Sequence, residues 1–171
     1  MIIVSDFDGV LGDSINECLF SSYNAYQSQK EEGKKIDNLN QIDRKTKDEF
    51  IRLRPYIKGG ESYLLIFYIL ENNIKIETQE DFDRLKEEKS TDLPKYKEVL
   101  YKERDLILKK NPRLWLDLNP LFDIGSFFDK HRKITNIFIL STKRKEYIIK
   151  ILKDKKIDFP EENIFYCCYT F

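Results

Sequence analysis

Only one histidine, His131, occurs in the 171 residues, and it lies in an Asp-Lys-His-Arg stretch that reads as the polar end of a helix. Serine–histidine chemistry is therefore not expected. The three cysteines, Cys18 and the adjacent Cys167 and Cys168, cannot all pair within one chain, and no Cys-x-x-Cys or histidine partner gives metal-ligand spacing. Reduced thiols are the simplest expectation. Charge of one sign is lacking as well: 30 Lys and Arg balance 30 Asp and Glu, which favours neither nucleic acid nor an anionic membrane as a partner. The longest apolar run, Tyr63 to Leu70, is far too short to cross a bilayer. The N-terminus enters Ile2-Ile3-Val4 with neither a basic region nor a cleavage site. The expected location is the cytoplasm, with no membrane association. There is no internal repeat and no low-complexity segment.

What is present suffices for one core, or one core plus a small inserted subdomain: 41% of the residues are hydrophobic and 13% aromatic. Ile2-Ile3-Val4 leads into Ser5 and Asp6, which suits a short, fully buried parallel strand. Gly9 and Gly12 bracket a turn. Ser14-Ile15-Asn16-Glu17 has the form of a capping box and opens a helix with Ile15, Leu19, Tyr23 and Tyr26 on one face. From about Glu31 to Asn119 the pattern is helical, broken at Gly59-Gly60, Asn72-Asn73, Thr91 to Pro94 and Asn111-Pro112. Within it, Thr78 to Asp81 starts one helix, and the nearly all-apolar stretch Glu61 to Glu71 belongs in the middle of the insertion. Asn119-Pro120 reads as an N-cap before a helix carrying Leu121, Ile124, Phe127 and Phe128. A second strand, Ile137 to Leu140, ends in Ser141-Thr142 and leads into a helix with Ile148, Ile149, Ile151 and Leu152. A third strand is expected at Ile164 to Cys168.

Chemistry is expected at the ends of the first two strands. In an extended backbone alternate side chains point the same way, so Asp6 and Asp8 can converge on one site. Such carboxylates suit Mg²⁺, which takes hard oxygen ligands and often completes its shell with a substrate phosphate. Asp6 is the candidate nucleophile toward phosphorus and Asp8 the candidate acid and base. Gly9 lets the backbone turn and bring N–H groups near a phosphate. Ser141 can offer its hydroxyl, with the amides of Thr142 and Lys143 at the positive end of the following helix. Ligands of open parallel sheets sit beyond the carboxyl ends of the strands, where both groups fall. In the insertion, Arg52, Arg54 and Lys58 form a candidate anion-reading patch, against the plainer reading that they face solvent.

The run from Ile2 to Leu11, containing Asp6-Phe7-Asp8-Gly9 and followed by Asp13-Ser14, resembles the first signature of the haloacid dehalogenase superfamily, and Ile137 to Ser141 resembles the second. The resemblance implies an α/β fold: a three-layer Rossmann-like core with a short parallel sheet (residues 1–25 and 120–171) and an α-helical cap inserted after the first strand (26–119). By position, Asp6 would be the nucleophile and a Mg²⁺ ligand, and Asp8 the acid/base that also meets Mg²⁺ through its carbonyl. Ser141 would be the phosphate-binding hydroxyl. The implied activity is Mg²⁺-dependent hydrolysis of a phosphate monoester through an aspartyl-phosphate, on a small phosphorylated metabolite or a nucleotide.

The pattern departs from that family downstream. Its third signature, a lysine, and its fourth, one or two acidic residues, would follow the third strand, where this sequence ends. The C-terminal part of the core is thus expected to be missing, with Lys143 or Lys145 as candidate substitutes for the lysine. The first strand would then be left as an open edge favouring self-association. Two further readings stay open: a truncated or non-catalytic domain that binds phosphate or metal without turnover, and phosphotransfer to an acceptor other than water.

Overall fold

The computed structural model describes residues 2–123 and 136–167. In chain order the elements are β1 (Ile2–Ser5), α1 (Ile15–Gln27), α2 (Arg44–Leu53), α3 (Tyr63–Glu71), α4 (Gln79–Glu88), α5 (Leu93–Lys110), α6 (Pro112–Asp117), β2 (Asn136–Ser141), α7 (Lys145–Asp154) and β3 (Ile164–Tyr166), with short 3₁₀ turns between some of them. The mixed α/β chain divides into two compact units: Met1–Ser14 with Arg113–Phe171, and Ile15–Pro112. The expected helix end at Ile124, Phe127 and Phe128, His131 and Cys168 lie outside the described residues.

The first unit holds a three-stranded parallel sheet in the order β1-β2-β3, with Ile3 paired to Ile137, Ser5 to Ile139 and Ile139 to Ile164. Pairs in register share a face, so Ile137, Ile139, Ser141 and Ile164 form a buried side. α7 lies against β3 and buries Tyr147, Ile148, Ile151 and Leu152. Trp115 of α6, fully buried, sets its ring 5.2 Å from that of Tyr147. On the other face Leu140 and Phe165 are exposed, in line with Ile2 and Val4.

The expectation that β1 is fully buried is corrected: Ile2 is 68% and Val4 60% exposed. Among the described residues β1 is an edge strand, with β2 on one side only. Asn119 is corrected too. It does not open a helix but donates from Nδ2 to the Trp115 carbonyl at 2.8 Å, satisfying an acceptor at the end of α6. Beyond it the chain runs back beside the turn after β1: Asp13 N donates to Pro120 O at 2.8 Å and Phe122 N to Leu11 O at 3.0 Å, with an antiparallel bridge between Gly12 and Leu121.

The second unit is helical throughout its regular elements. α3 carries no polar face and is its buried centre, with Leu64, Leu65 and Ile66 wholly enclosed. It stops at Glu71, where Asn73 takes a positive φ of 51°. α4 begins as its residues dictate: the Thr78 side chain accepts from Asp81 N, while Asp81 accepts from Thr78 N. α1 packs chiefly on α5 and α3 and falls in the second unit, which begins at Ile15. One cause is Glu17. Its carboxylate, expected to close a capping box, is fully buried and forked by Arg104 of α5, with Nε–Oε1 at 2.8 Å and Nη2–Oε2 at 2.9 Å. Ser21 donates to the same carboxylate at 2.6 Å. Burial alone would favour the neutral guanidine, but Glu17, with Cys18, Tyr63 and Tyr101 adding to it, outweighs burial and holds Arg104 charged.

Among the described residues, no helix is long and apolar enough to cross a membrane.

Candidate functional site

The apolar run of β1 ends because Ser5 and Asp6 bring polar side chains to the strand's carboxyl tip. Asp6 is exposed there, and its Oδ1 accepts the N–H of Phe7 at 2.6 Å. Phe7 is the anchor of the loop: its ring is 1% exposed, while its carbonyl accepts from Leu11 N and Gly12 N, both at 2.9 Å. That double acceptance curls residues 8–12 into a tight turn. Gly9 makes the turn affordable with φ at 81°, a conformation L side chains rarely adopt, and its N–H donates to Gly12 O at 2.8 Å.

Asp8, half-buried, faces two donors on one oxygen. Ser14 Oγ donates to Oδ1 at 2.6 Å, and Lys143 Nζ lies 3.1 Å from the same atom. The Lys143 side chain is only 2% exposed, and its ammonium also lies 6.0 Å from the centre of the Phe7 ring. Register explains why these residues meet. β1 and β2 are adjacent and parallel, so their carboxyl ends, and the loops that follow, emerge side by side.

At the end of β2, Ser141 is buried and its Oγ accepts from Lys143 N at 3.2 Å, while its carbonyl accepts from Cys167 N at 2.9 Å. Thr142 is half-buried. The helix does not begin at Thr142 or Lys143 but at Lys145, so the amides of those two residues precede its first turn. The expected pairing of Ser141 and Lys143 as joint phosphate donors thus has a different local form, in which the amide of one is given to the hydroxyl oxygen of the other.

The structure therefore brings Asp8, Ser141 and Lys143 together through contacts of the two loops, with Asp6 at the adjoining strand tip and Gly9 shaping the turn. Sequence reasoning passed over Ser14 as an Asp8 partner, because a serine before a helix reads first as a cap. The signal was its place six residues beyond Asp8, just after the turn. In the helical unit the candidate anion patch is engaged: Arg52 with Glu49 and the Ile76 carbonyl, Arg54 over the Tyr63 ring, and Lys58 with Asp83 at 3.2 Å.

For a divalent cation, the donor set offers the exposed carboxylate of Asp6 together with Asp8. Among the described residues, no group of three or more His, Cys, Asp or Glu forms a metal cluster. That inventory fits Mg²⁺ in its sparest protein-bound mode, one or two carboxylates with the substrate phosphate supplying the rest. It does not fit zinc, which would want three or four protein ligands.

No family model matches the chain, and no curated protein or solved structure matches it.

Proposed function

We propose that this chain is a phosphotransfer domain of haloacid dehalogenase type, with a Rossmann-like core and the helical unit as its cap, that hydrolyses a small phosphate monoester. The observation that carries the reading is the exposed Asp6 carboxylate at the tip of β1, beside a loop whose Asp8 is tied to Lys143 from the end of the neighbouring parallel strand. A nucleophile at a strand tip, beside a second carboxylate held in place by a cation from the adjacent tip, supports a reading of transfer from an anionic, tetrahedral group.

In the proposed reaction an Asp6 oxygen forms a bond to phosphorus while the bond to the leaving oxygen breaks, and Asp8 gives that oxygen its proton. Water then attacks the aspartyl-phosphate. Asp8 takes the water's proton, inorganic phosphate leaves, and the Asp6 carboxylate is regenerated. Asp6 and Asp8 would hold Mg²⁺, which supplies charge neutralisation between nucleophile and phosphate. In this reading Gly9 and Thr142 are the backbone positions offered to the phosphate, and Ser141 holds the loop by accepting from Lys143 N. The substrate is a phosphorylated metabolite or nucleotide, the setting is cytoplasmic, and the open β1 edge supports self-association.

A second reading, binding of phosphate or metal without turnover, is favoured by the absence of a third acidic ligand among the described residues. One experiment separates the two. The chain is assayed with Mg²⁺ on a panel of phosphate monoesters, beside Asp6→Asn. Turnover that needs Mg²⁺ and drops by at least about 10³-fold in D6N, with acid-stable label trapped on the wild-type protein, supports the phosphatase. Phosphate binding by both proteins with no turnover supports the second reading.

A further inference from the structure

Among the described lysines, Lys143 stands apart for its burial. A lysine that reaches out to an incoming anion needs its ammonium at the surface, but this one is 2% exposed and lies against Asp8 and the Phe7 ring. An ammonium is strongly hydrated, so enclosing it is costly unless a carboxylate and further polar contacts compensate. Its partner is the oxygen that also accepts from Ser14, and two donors on a single oxygen fix the rotation of the carboxylate. The donors come from two separate segments: Ser14 follows the loop after β1, and Lys143 follows the adjacent strand β2.

The backbone of Lys143 is held as firmly as its tip. Its N–H is given to Ser141 Oγ at 3.2 Å, and Ser141 is itself buried and bonded through its carbonyl to Cys167. The ammonium is therefore delivered from a fixed base, which a flexible surface lysine would lack. Tyr147 and Ile148 follow within one turn and are anchored in the core of the same unit.

We infer that Lys143 is a positioning residue: it acts by holding the Asp8 carboxylate in place and does not bind the phosphate itself. In kinetic terms it belongs to the chemical step and not to substrate capture. The kinetic part of this inference rests on the phosphatase reading, whereas the contact between the two side chains stands apart from it.

The test uses the full chain as Lys143→Met, Lys143→Arg, Asp8→Asn and the Asp8→Asn/Lys143→Met pair. With p-nitrophenyl phosphate and Mg²⁺, K143M is expected to lower kcat by about 10- to 100-fold while KM and inhibition by inorganic phosphate stay within about twofold. K143R, which keeps a cation, should recover at least part of kcat. In urea unfolding, K143M should lower the midpoint in the wild-type background and by clearly less in D8N, because the partner is already gone. A rise in KM and in the inhibition constant for phosphate, with kcat kept, would make Lys143 a phosphate ligand and overturn the inference. So would additive midpoint shifts, or a K143M protein of full activity. A wild-type chain with no activity but coupled midpoints would overturn the phosphatase reading, and with it the kinetic role, leaving a structural pair. Should K143M not fold, K143R against wild type gives the same split between kcat and KM.

Discussion

Ser14 donates its hydroxyl to Asp8 Oδ1 across 2.6 Å, joining the last residue of the sheet unit's first segment to the loop six residues earlier. A hydrogen bond to a carboxylate is stronger than one between neutral groups, and Ser14 is 5% exposed, so water does not readily replace it. Ser14→Ala should lower stability by about 1.5 kcal/mol, and Ser14→Thr should keep most of it. Urea titration of the three proteins checks this. Equal losses in both variants would mean that the hydroxyl does not matter.

The buried fork between Glu17 and Arg104 makes a larger prediction. Arg104→Met leaves a carboxylate enclosed without its cation, which costs about 3–5 kcal/mol. Replacing both, as Glu17→Met with Arg104→Met, should recover most of that loss, since apolar groups of similar volume often serve a buried site as well as an ion pair. Calorimetry of the single and double variants decides the matter. A double variant no better than R104M would show that the pair contributes more than mutual neutralisation.

Two glycines should respond differently to alanine. At Gly12 an added Cβ would come within 3.2 Å of both Leu121 Cδ2 and Phe7 Cε1, so the cost arises from crowding, about 1–3 kcal/mol. Leu121→Ala in that background should relieve part of it. At Gly9 no atom lies within 4 Å of the added carbon, and the cost, about 1 kcal/mol, is conformational, from φ at 81°. A Gly9→Ala protein as stable as wild type, or one rescued by trimming a neighbour, would contradict that division.

Alkaline stability follows from the tyrosines. Burial pushes the Tyr26 phenol above the ordinary tyrosine range, helped by the Glu71 carboxylate that accepts its hydroxyl. Burial does the same at Tyr63, beside Cys18. Because the fold holds these protons more tightly than the unfolded chain, their contribution is intact below the ordinary phenol value near pH 10 and is lost as the pH rises beyond it. The urea midpoint should therefore be level from pH 8 to about 9.5 and fall above 10, with a smaller fall in Tyr26→Phe. A fall already complete by pH 9 would assign the effect to other groups.

The first two strands were legible because each is a short apolar run with a polar residue at its carboxyl end: Val4 before Ser5 and Asp6, Leu140 before Ser141. The start of α4 was legible because Thr78 and Asp81 carry all of its chemistry within four residues. The allegiance of α1 was not. Leu19 and Tyr26 make an apolar stripe that would suit any core, and what fixes the helix's partner is Arg104, 87 residues away. Asn119 misled for a related reason, since an asparagine before proline is equally suited to start a helix or to close the one behind it. At the site, the residue types were readable at Asp6, Asp8 and Lys143. That Lys143 folds inward onto Asp8 depends on strand register, which no local pattern encodes.

The clasp between Asp13 and Pro120 has a consequence for how the chain comes to its final form. Bringing those two residues together closes a loop of roughly a hundred residues, whose entropy a loose chain could hardly recover from two backbone hydrogen bonds. If the intervening helices collapse first, the effective loop becomes short and the clasp nearly local. Assembly of the parallel strands is then the late event, and anything that delays the helices delays the meeting of the two strand tips.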